Sequence, residues 1–471
     1  MPHLPQPGRY SPDPAIVALG KAFYDPVDAA DFPQALLRFR NDSWAGAVGL
    51  GGLSDEQWIA HFGRFRPLPD NLERPLALRY HGHQFRVYNP DIGDGRGFLF
   101  AQLRDGAGRL LDLGTKGSGQ TPYSRFGDGR LTLKGGVREV LATEMLEALG
   151  AETSKTFSLI ETGEALERND EPSPTRSAVL VRLQNSHIRI GTFQRLAYFE
   201  EKENIARLVD YCLKHYYPDA VGAAPAPLLL ANVVREGARL AASYIAAGFV
   251  HGVLNSDNIA ITCESFDYGP WRFTPLWDGP FTAAYFDHAG LYSFGRQPEA
   301  IHWDLLQLAR SLTLVAEADD LKTELERFPD LFQQALVQAV FARLGILPSG
   351  EPSDAELLAA MEAAMVRQTV EIDRFFFDWR GGRRRAPSPA DAAYASDEFA
   401  ALAALLQACD PAPGALDHDY WTDPAPCSMH IEEVEAIWSA IDGRDDWTPF
   451  EAKVAAVQRM GEAMRGSKED G

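Results

Sequence analysis

Three side chains close together in the chain have the types needed to hold a divalent cation and move a proton. Asp257 and Asn258 end the stretch His251-Gly252-Val253-Leu254-Asn255-Ser256-Asp257-Asn258, and Asp267 opens Asp267-Tyr268-Gly269-Pro270, nine residues after Asn258. An amide oxygen and a carboxylate are hard ligands of the kind Mg²⁺ takes, with Mn²⁺ as an alternative and water and phosphate completing the octahedron. A carboxylate beside such a cation can orient a hydroxyl and receive its proton. Taken alone, Asp257 reads rather as a loop-capping Asx residue.

The order and spacing resemble a protein-kinase catalytic loop, H-R-D-L-x-x-x-N, followed by the metal-binding D-F-G. His251 and Asn258 keep the spacing of seven, and Asp267-Tyr268-Gly269 stands where D-F-G would. The position of the kinase base, two after the His, is Val253, which accepts no proton. Either catalysis has been lost or another residue serves another reaction.

Upstream residues supply the charge that a polyphosphate needs. Lys116 precedes the glycine-rich Gly117-Ser118-Gly119, and Glu139 follows it by 23 residues, the order in which kinases pair a strand Lys with a helix Glu. Glu139 also reads as a simple first-turn carboxylate at a helix amino terminus. Gly93 and Gly95, in Gly93-Asp94-Gly95-Arg96, would let backbone N–H groups approach phosphate, or merely make a turn. Arg182 and Arg189 would clamp phosphate oxygens in bidentate fashion, or lie on the surface as isolated arginines do. Joined in one order, these elements favour the functional reading.

The elements that must carry them follow from periodicity. Runs at 98–103 and 110–115 around Asp105-Gly106-Ala107-Gly108 predict a β-hairpin, and 156–161 and 178–183 predict further strands. The apolar stripe Val137, Val140, Leu141, Met145 and Leu149, closed by Gly150, predicts a helix over 136–149. Helical spacing recurs at 193–216, 231–249, 303–316, 330–344 and 354–379, with a short strand at 259–263 leaving the catalytic loop. The expected plan is α+β, a protein-kinase-like bilobal fold with a β-rich N-lobe and a helical C-lobe. Its parts are an N-terminal wrapping extension (1–75), a nucleotide-binding N-lobe (76–192), a C-lobe with the catalytic and metal-binding loop (193–390) and an accessory helical tail (391–471).

Composition narrows the partners. With 45% apolar residues the 471-residue chain has ample material for a core. Its 66 acidic against 45 basic residues leave a formal charge of −21, which argues against nucleic-acid and anionic-membrane binding. The basic run at 380–385, beside Pro-Ser-Pro, reads as a solvated loop. Four scattered cysteines without a C-x-x-C suggest a reducing compartment, and no stretch has the ~18 apolar residues of a membrane span. A monomeric, soluble, cytoplasmic protein is expected.

Several of these stretches together resemble the selenoprotein O family of pseudokinase-fold protein adenylyltransferases. They are Gly93-Asp94-Gly95-Arg96, the run from Lys116 to Arg125, Ser186-His187-Ile188-Arg189, the catalytic loop, Asp267-Tyr268-Gly269-Pro270 and Phe294-Gly295-Arg296-Gln297-Pro298. The resemblance implies transfer of AMP from ATP to a Ser, Thr or Tyr hydroxyl of a client protein, with pyrophosphate released and ATP reversed relative to a kinase. It places Gly93, Gly95, Arg96, Lys116, Asp128, Gly129, Arg182, Arg189 and Asp267 around the nucleotide. Asn258 and Asp267 become the metal ligands, Asp257 the base, and Glu139 the partner of Lys116. The chain departs from the family at His81 and Arg86, where Ala and Gly are usual, and at Leu254 and Ser256, where Met and Thr are usual. It also has no Cys after Cys427. A phosphotransferase and a catalytically silent nucleotide-binding scaffold are the rival readings.

Overall fold

The computed structural model describes residues 5–466 apart from 170, 223, 351 and 386. Residues 1–4 and 467–471 of the expected extension and tail lie outside the described residues. Extended apolar runs build one eight-stranded antiparallel sheet. Across it the strands run Tyr24–Pro26, Leu76–Leu78, Leu99–Arg104, Leu110–Lys116, Thr175–Gln184, Lys155–Leu166 and Leu36–Arg40, with Leu131–Thr132 joined to Thr175–Gln184. Both edge strands therefore come from the segment before residue 76. The hairpin turn after Arg104 is closed by Asp105, whose carboxylate accepts from the backbone N–H groups of Ala107 and Arg109.

Period-two alternation sends the strands' side chains to two cores. Val179 and Val181 face a cluster with Trp58, Phe62, Phe98 and Phe157, while Ala178 and Leu180 face the helix Leu133–Ala148. That helix begins three residues before the expected 136, because the Thr132 hydroxyl accepts from Gly135 N at 3.1 Å and caps it. Glu139 consequently sits in the second turn, beyond the reach of the amino-terminal dipole. On its outer side the helix meets the tail helices Ile431–Arg444 and Thr448–Arg465. Gln458 donates to Glu144 at 2.9 Å and Lys134 pairs with Glu435 at 2.7 Å.

The second half is helical, and its breaks differ from the periodicity. The expected helix over 193–216 is two, Ile190–Tyr198 and Lys202–Tyr216, divided where Glu200 adopts φ 54°. That over 354–379 divides into Ser353–Arg367 and Ile372–Asp378, with Gln368 in extended conformation between them. The strand expected at 259–263 is reduced to one bridge between Ala260 and Arg189, because Cys263 turns back with φ 51° and bonds Ala260 O at 2.8 Å. The basic run is also not a solvated loop. Arg380 is 2% exposed and donates to the carbonyls of Ala342, Arg343, Ala415 and Met464, satisfying groups at the end of the helix Phe328–Leu344.

The plan is α+β: a sheet with a Lys on one strand, a Glu on the following helix, and a helical half whose loop after the long helix Pro225–Ala247 carries the candidate metal ligands. That is the order of parts in a bilobal kinase fold. Among the described residues no helix is long and apolar enough to cross a membrane.

Candidate active site

Two backbone pairings bring the sheet to the loops. The segment after strand Thr175–Gln184 runs beside the exit of the catalytic loop, with Ile190 N bonded to Ile259 O at 3.0 Å and Ile261 N to Ile188 O at 2.9 Å. The entry to strand Lys155–Leu166 pairs with the residues before Asp267: Ser154 N bonds Ser265 O at 2.8 Å and Ser265 N bonds Glu152 O at 2.9 Å. In the sheet Leu180 lies opposite Lys116, so Arg182, two residues on, projects from the same face as Lys116.

The result is a buried cationic cluster around one carboxylate. Lys116 Nζ, on a residue 3% exposed, meets both Glu139 Oε1 and, at 2.7 Å, Asp267 Oδ1. Arg182 Nη1 stands 3.8 Å from the same Asp267 oxygen, and its Nε and Nη1 are buried donors without a hydrogen-bond partner. Asp267 has φ 61°, a left-handed turn that aims the carboxylate back at the sheet. Burial alone would raise its pKa, yet Lys116, Arg182, Arg96 and Arg189 together hold it well below the usual carboxylate range. Arg189, stacked 4.5 Å above Tyr80 and 4.8 Å from Phe266, donates from Nη1 to the carbonyl of Asp257 at 2.8 Å.

The catalytic loop is fixed by its own side chains. His251 Nε2 lies 2.9 Å from Phe266 O, and burial keeps its imidazole pKa below the ordinary value. Asn258 Nδ2 donates to Val253 O at 3.0 Å, which fixes the amide so that Oδ1 is its acceptor atom. Val253 thus serves through its backbone, in the position where a kinase carries its base. Asp257 is 7% exposed, and its Oδ1 has no hydrogen-bond partner. Burial, reinforced by Asp267 and opposed by Arg189, lifts its carboxyl to about 6.

The glycines of the Gly93–Arg96 motif have a packing requirement. A Cβ on Gly93 would stand 2.5 Å from the Tyr123 ring, and one on Gly95 3.1 Å from Tyr123 O, so both glycines admit the loop that follows the sheet. Thr121 Oγ1 and Ser124 Oγ donate to the carbonyls of Asp94 and Gly95, stapling that loop down. Arg96 is exposed and reaches the cluster through its charge on Asp267. Asp128 points elsewhere: its carboxylate pairs with Arg168 at 2.9 Å and accepts from Arg130 N at 3.0 Å. Gly129, at φ 71°, packs its backbone on Gly119, where a Cβ would come within 2.3 Å.

Three residues that spacing does not single out complete the geometry. Asp94 is 4% exposed and accepts from Leu78 N at 2.9 Å, His187 Nε2 at 3.1 Å and Arg189 Nη2 at 3.4 Å, thereby setting the arginine. An acidic residue between two glycines is the sequence signal for it. Tyr123 closes the glycine turn and reaches Asp25 through its hydroxyl. Gly82, in the hairpin of Gly82–Gln84 and Val87–Asn89, lies directly against Asp257, where a Cβ would stand 2.8 Å from Asp257 Cβ.

A family model described as protein adenylyltransferase SelO matches residues 9–397, most of the chain. This chain belongs to that family. It is 45% identical over 456 residues to the protein nucleotidyltransferase YdiU of Gloeobacter violaceus, covering 93% of each chain. It is 42% identical over 469 residues to that of a Synechocystis species, covering 95% of this chain and 97% of the relative. Among solved structures, a rhoptry antigen kinase domain of Toxoplasma gondii aligns at 11% identity over 62% of this chain and 84% of its own, with a TM-score of only 0.28. Family membership makes the chain a nucleotidyltransferase.

Proposed function

We propose that the chain transfers AMP from ATP to a Ser, Thr or Tyr hydroxyl of a client protein and releases pyrophosphate, with ATP reversed relative to a kinase. The observation that carries this reading is the convergence of Lys116 and Arg182 on Asp267, with Arg189 bonded to the Asp257 carbonyl, beside a catalytic loop whose carboxylate is Asp257, not residue 253. Arg182, on the same face of the sheet as Lys116, holds two buried donors without an acceptor. A polyphosphate answers that condition.

The acceptor oxygen attacks the α-phosphorus, the bond from that phosphorus to the bridging oxygen of the β-phosphate breaks, and the hydroxyl proton passes to Asp257. Lys116 and Arg182 take up the charge that grows on the pyrophosphate. Glu139 keeps Lys116 from collapsing wholly onto Asp267. Asn258 Oδ1 and Asp267 would hold Mg²⁺ or Mn²⁺, a fit supported by the two hard oxygens and by the amide orientation that Val253 O imposes. When bound, the cation neutralises phosphate oxygens and screens their charge from the incoming hydroxyl. Mass spectrometry of acceptor proteins incubated with the enzyme, ATP and Mg²⁺ tests the proposal: wild type adds AMP to hydroxyl side chains and Asp267→Ala adds none. Phosphate in place of AMP would overturn it in favour of a phosphotransferase.

A further inference from the structure

A groove of about 320 Å³ lies against the catalytic loop and takes no part in the chemistry above. Its inner wall is made by His83 of the hairpin and Gln194 of the helix Ile190–Tyr198, which contact each other at 2.7 Å. Both also bond the residue next to Asp257. Ser256 Oγ accepts from His83 N at 2.8 Å and donates to Gln194 Oε1 at 2.6 Å. The outer wall is aromatic: Tyr88 stacks on Tyr198 at 5.6 Å, and Tyr198 is 56% exposed. Phe199, 51% exposed, extends the aromatic surface beyond it.

The charge of the groove is the reverse of the chain's. Among the described residues no carboxylate lines it, although the chain carries a net −21. Arg310, exposed at the rim on the helix Gln297–Leu312, touches only the amide of Gln307 at 3.3 Å, and no carboxylate pairs with it among the described residues. Nearby arginines are all committed: Arg86 and Arg296 share Glu299 at 2.7 and 3.0 Å. Burial and the charge of Arg310 hold the His83 imidazole below its ordinary pKa, so the groove's lasting cation is Arg310. A guanidinium without an acid partner beside a half-exposed tyrosine stacked on a partly buried one is the composition of a recognition hot spot for a carboxylate flanked by apolar groups.

We infer that this groove docks a segment of the client protein in which a Glu or Asp engages Arg310 and a neighbouring aliphatic or aromatic side chain packs on Tyr88 and Tyr198. The inference rests on the client being a protein, as proposed above. Docking one residue away from Asp257 raises the effective concentration of the acceptor hydroxyl without a contact to the nucleotide.

Fluorescence anisotropy on the full chain tests this with two labelled twelve-residue peptides, each containing one Ser. One alternates Glu with Leu and Tyr, and the other has Lys for every Glu. The acidic peptide is expected to bind at least tenfold more tightly than the basic one, Arg310→Glu to reverse that preference, and Tyr198→Ala to weaken the acidic peptide. Equal binding of the two peptides, binding of neither, or an Arg310→Glu variant that keeps the wild-type preference would overturn the inference. The thermal shift caused by ATP, retained in Arg310→Glu, shows that the variant is folded. Transfer of α-labelled phosphate separates the two claims. Peptide discrimination without any transfer sinks the adenylylation reading alone, whereas transfer to both peptides that Arg310→Glu leaves unaltered sinks the groove alone.

Discussion

Replacing Gly82 by alanine perturbs the proposed base without touching the cationic cluster around Asp267. Gly82 pairs with Asn89 in extended conformation and needs no positive φ, so alanine fits its backbone. The added methyl group would stand 2.8 Å from Asp257 Cβ and 3.0 Å from its Oδ1, where ordinary contacts begin near 3.4 Å. Because the loop is close-packed, relief requires Asp257 to retreat by about half an ångström or more. Displacement on that scale, toward the ~1 Å that costs 10²-fold, gives an expected loss of about 10- to 100-fold in turnover. The assay is the initial rate of transfer from α-labelled ATP at saturating nucleotide, beside the ATP-induced rise in Tm. Turnover should fall while the Tm rise stays at its wild-type size, since Gly82 makes no contact with Lys116, Arg182 or Asp267. Wild-type turnover would refute a proton-accepting role for Asp257 at this position. A Tm rise lost together with turnover would show that the hairpin supports the site as a whole.

Glu139→Ala removes one of the two carboxylates that neutralise buried Lys116, and a cost of about 3 kcal/mol is expected, the lower end for a broken buried pair because Asp267 remains. Urea denaturation measures it, and an unchanged midpoint would contradict the pairing. Burial lifts the Glu144 carboxyl from 4.5 to about 7, so the stability it lends is fully present below about pH 4.5 and is lost as the pH rises through about 7. Glu144→Gln, permanently neutral, should therefore match wild type near pH 4 and exceed it at pH 8 by on the order of 1–3 kcal/mol. A Tm difference between the two proteins that does not change with pH would contradict this.

What the sequence discloses of the site is its charge; what it conceals is its packing. Lys116, Glu139, Asn258 and Asp267 stand at spacings that chemistry dictates, so they are legible from order alone. Gly93 and Gly95 are legible as special, yet their reason is the ring of Tyr123, which lies 30 residues from Gly93 and which no local pattern reveals. The hairpin beside Asp257 escapes because its turn residues, Phe85 and Arg86, take φ 50° and 63° without the Asn-Gly usual for such a turn. Asn255 Oδ1, accepting from Phe85 N at 3.0 Å, and Glu299, paired with Arg86, hold them there. Helix breaks at Glu200 and Gln368 are invisible for a similar reason: apolar spacing continues through them, and tertiary contacts decide where the chain turns. Arg380 looked solvated because four arginines in six residues usually are, whereas backbone carbonyls distant in sequence claim it.

The central claim, that AMP and not phosphate is transferred, is tested most directly by incubating the enzyme and acceptor protein with ATP labelled at either the α- or the γ-phosphate. The expected result is that α-label enters the acceptor, that γ-label is released as pyrophosphate, and that Asp267→Ala abolishes both. Stable γ-label on the acceptor, with α-label recovered only as free ADP, would contradict it.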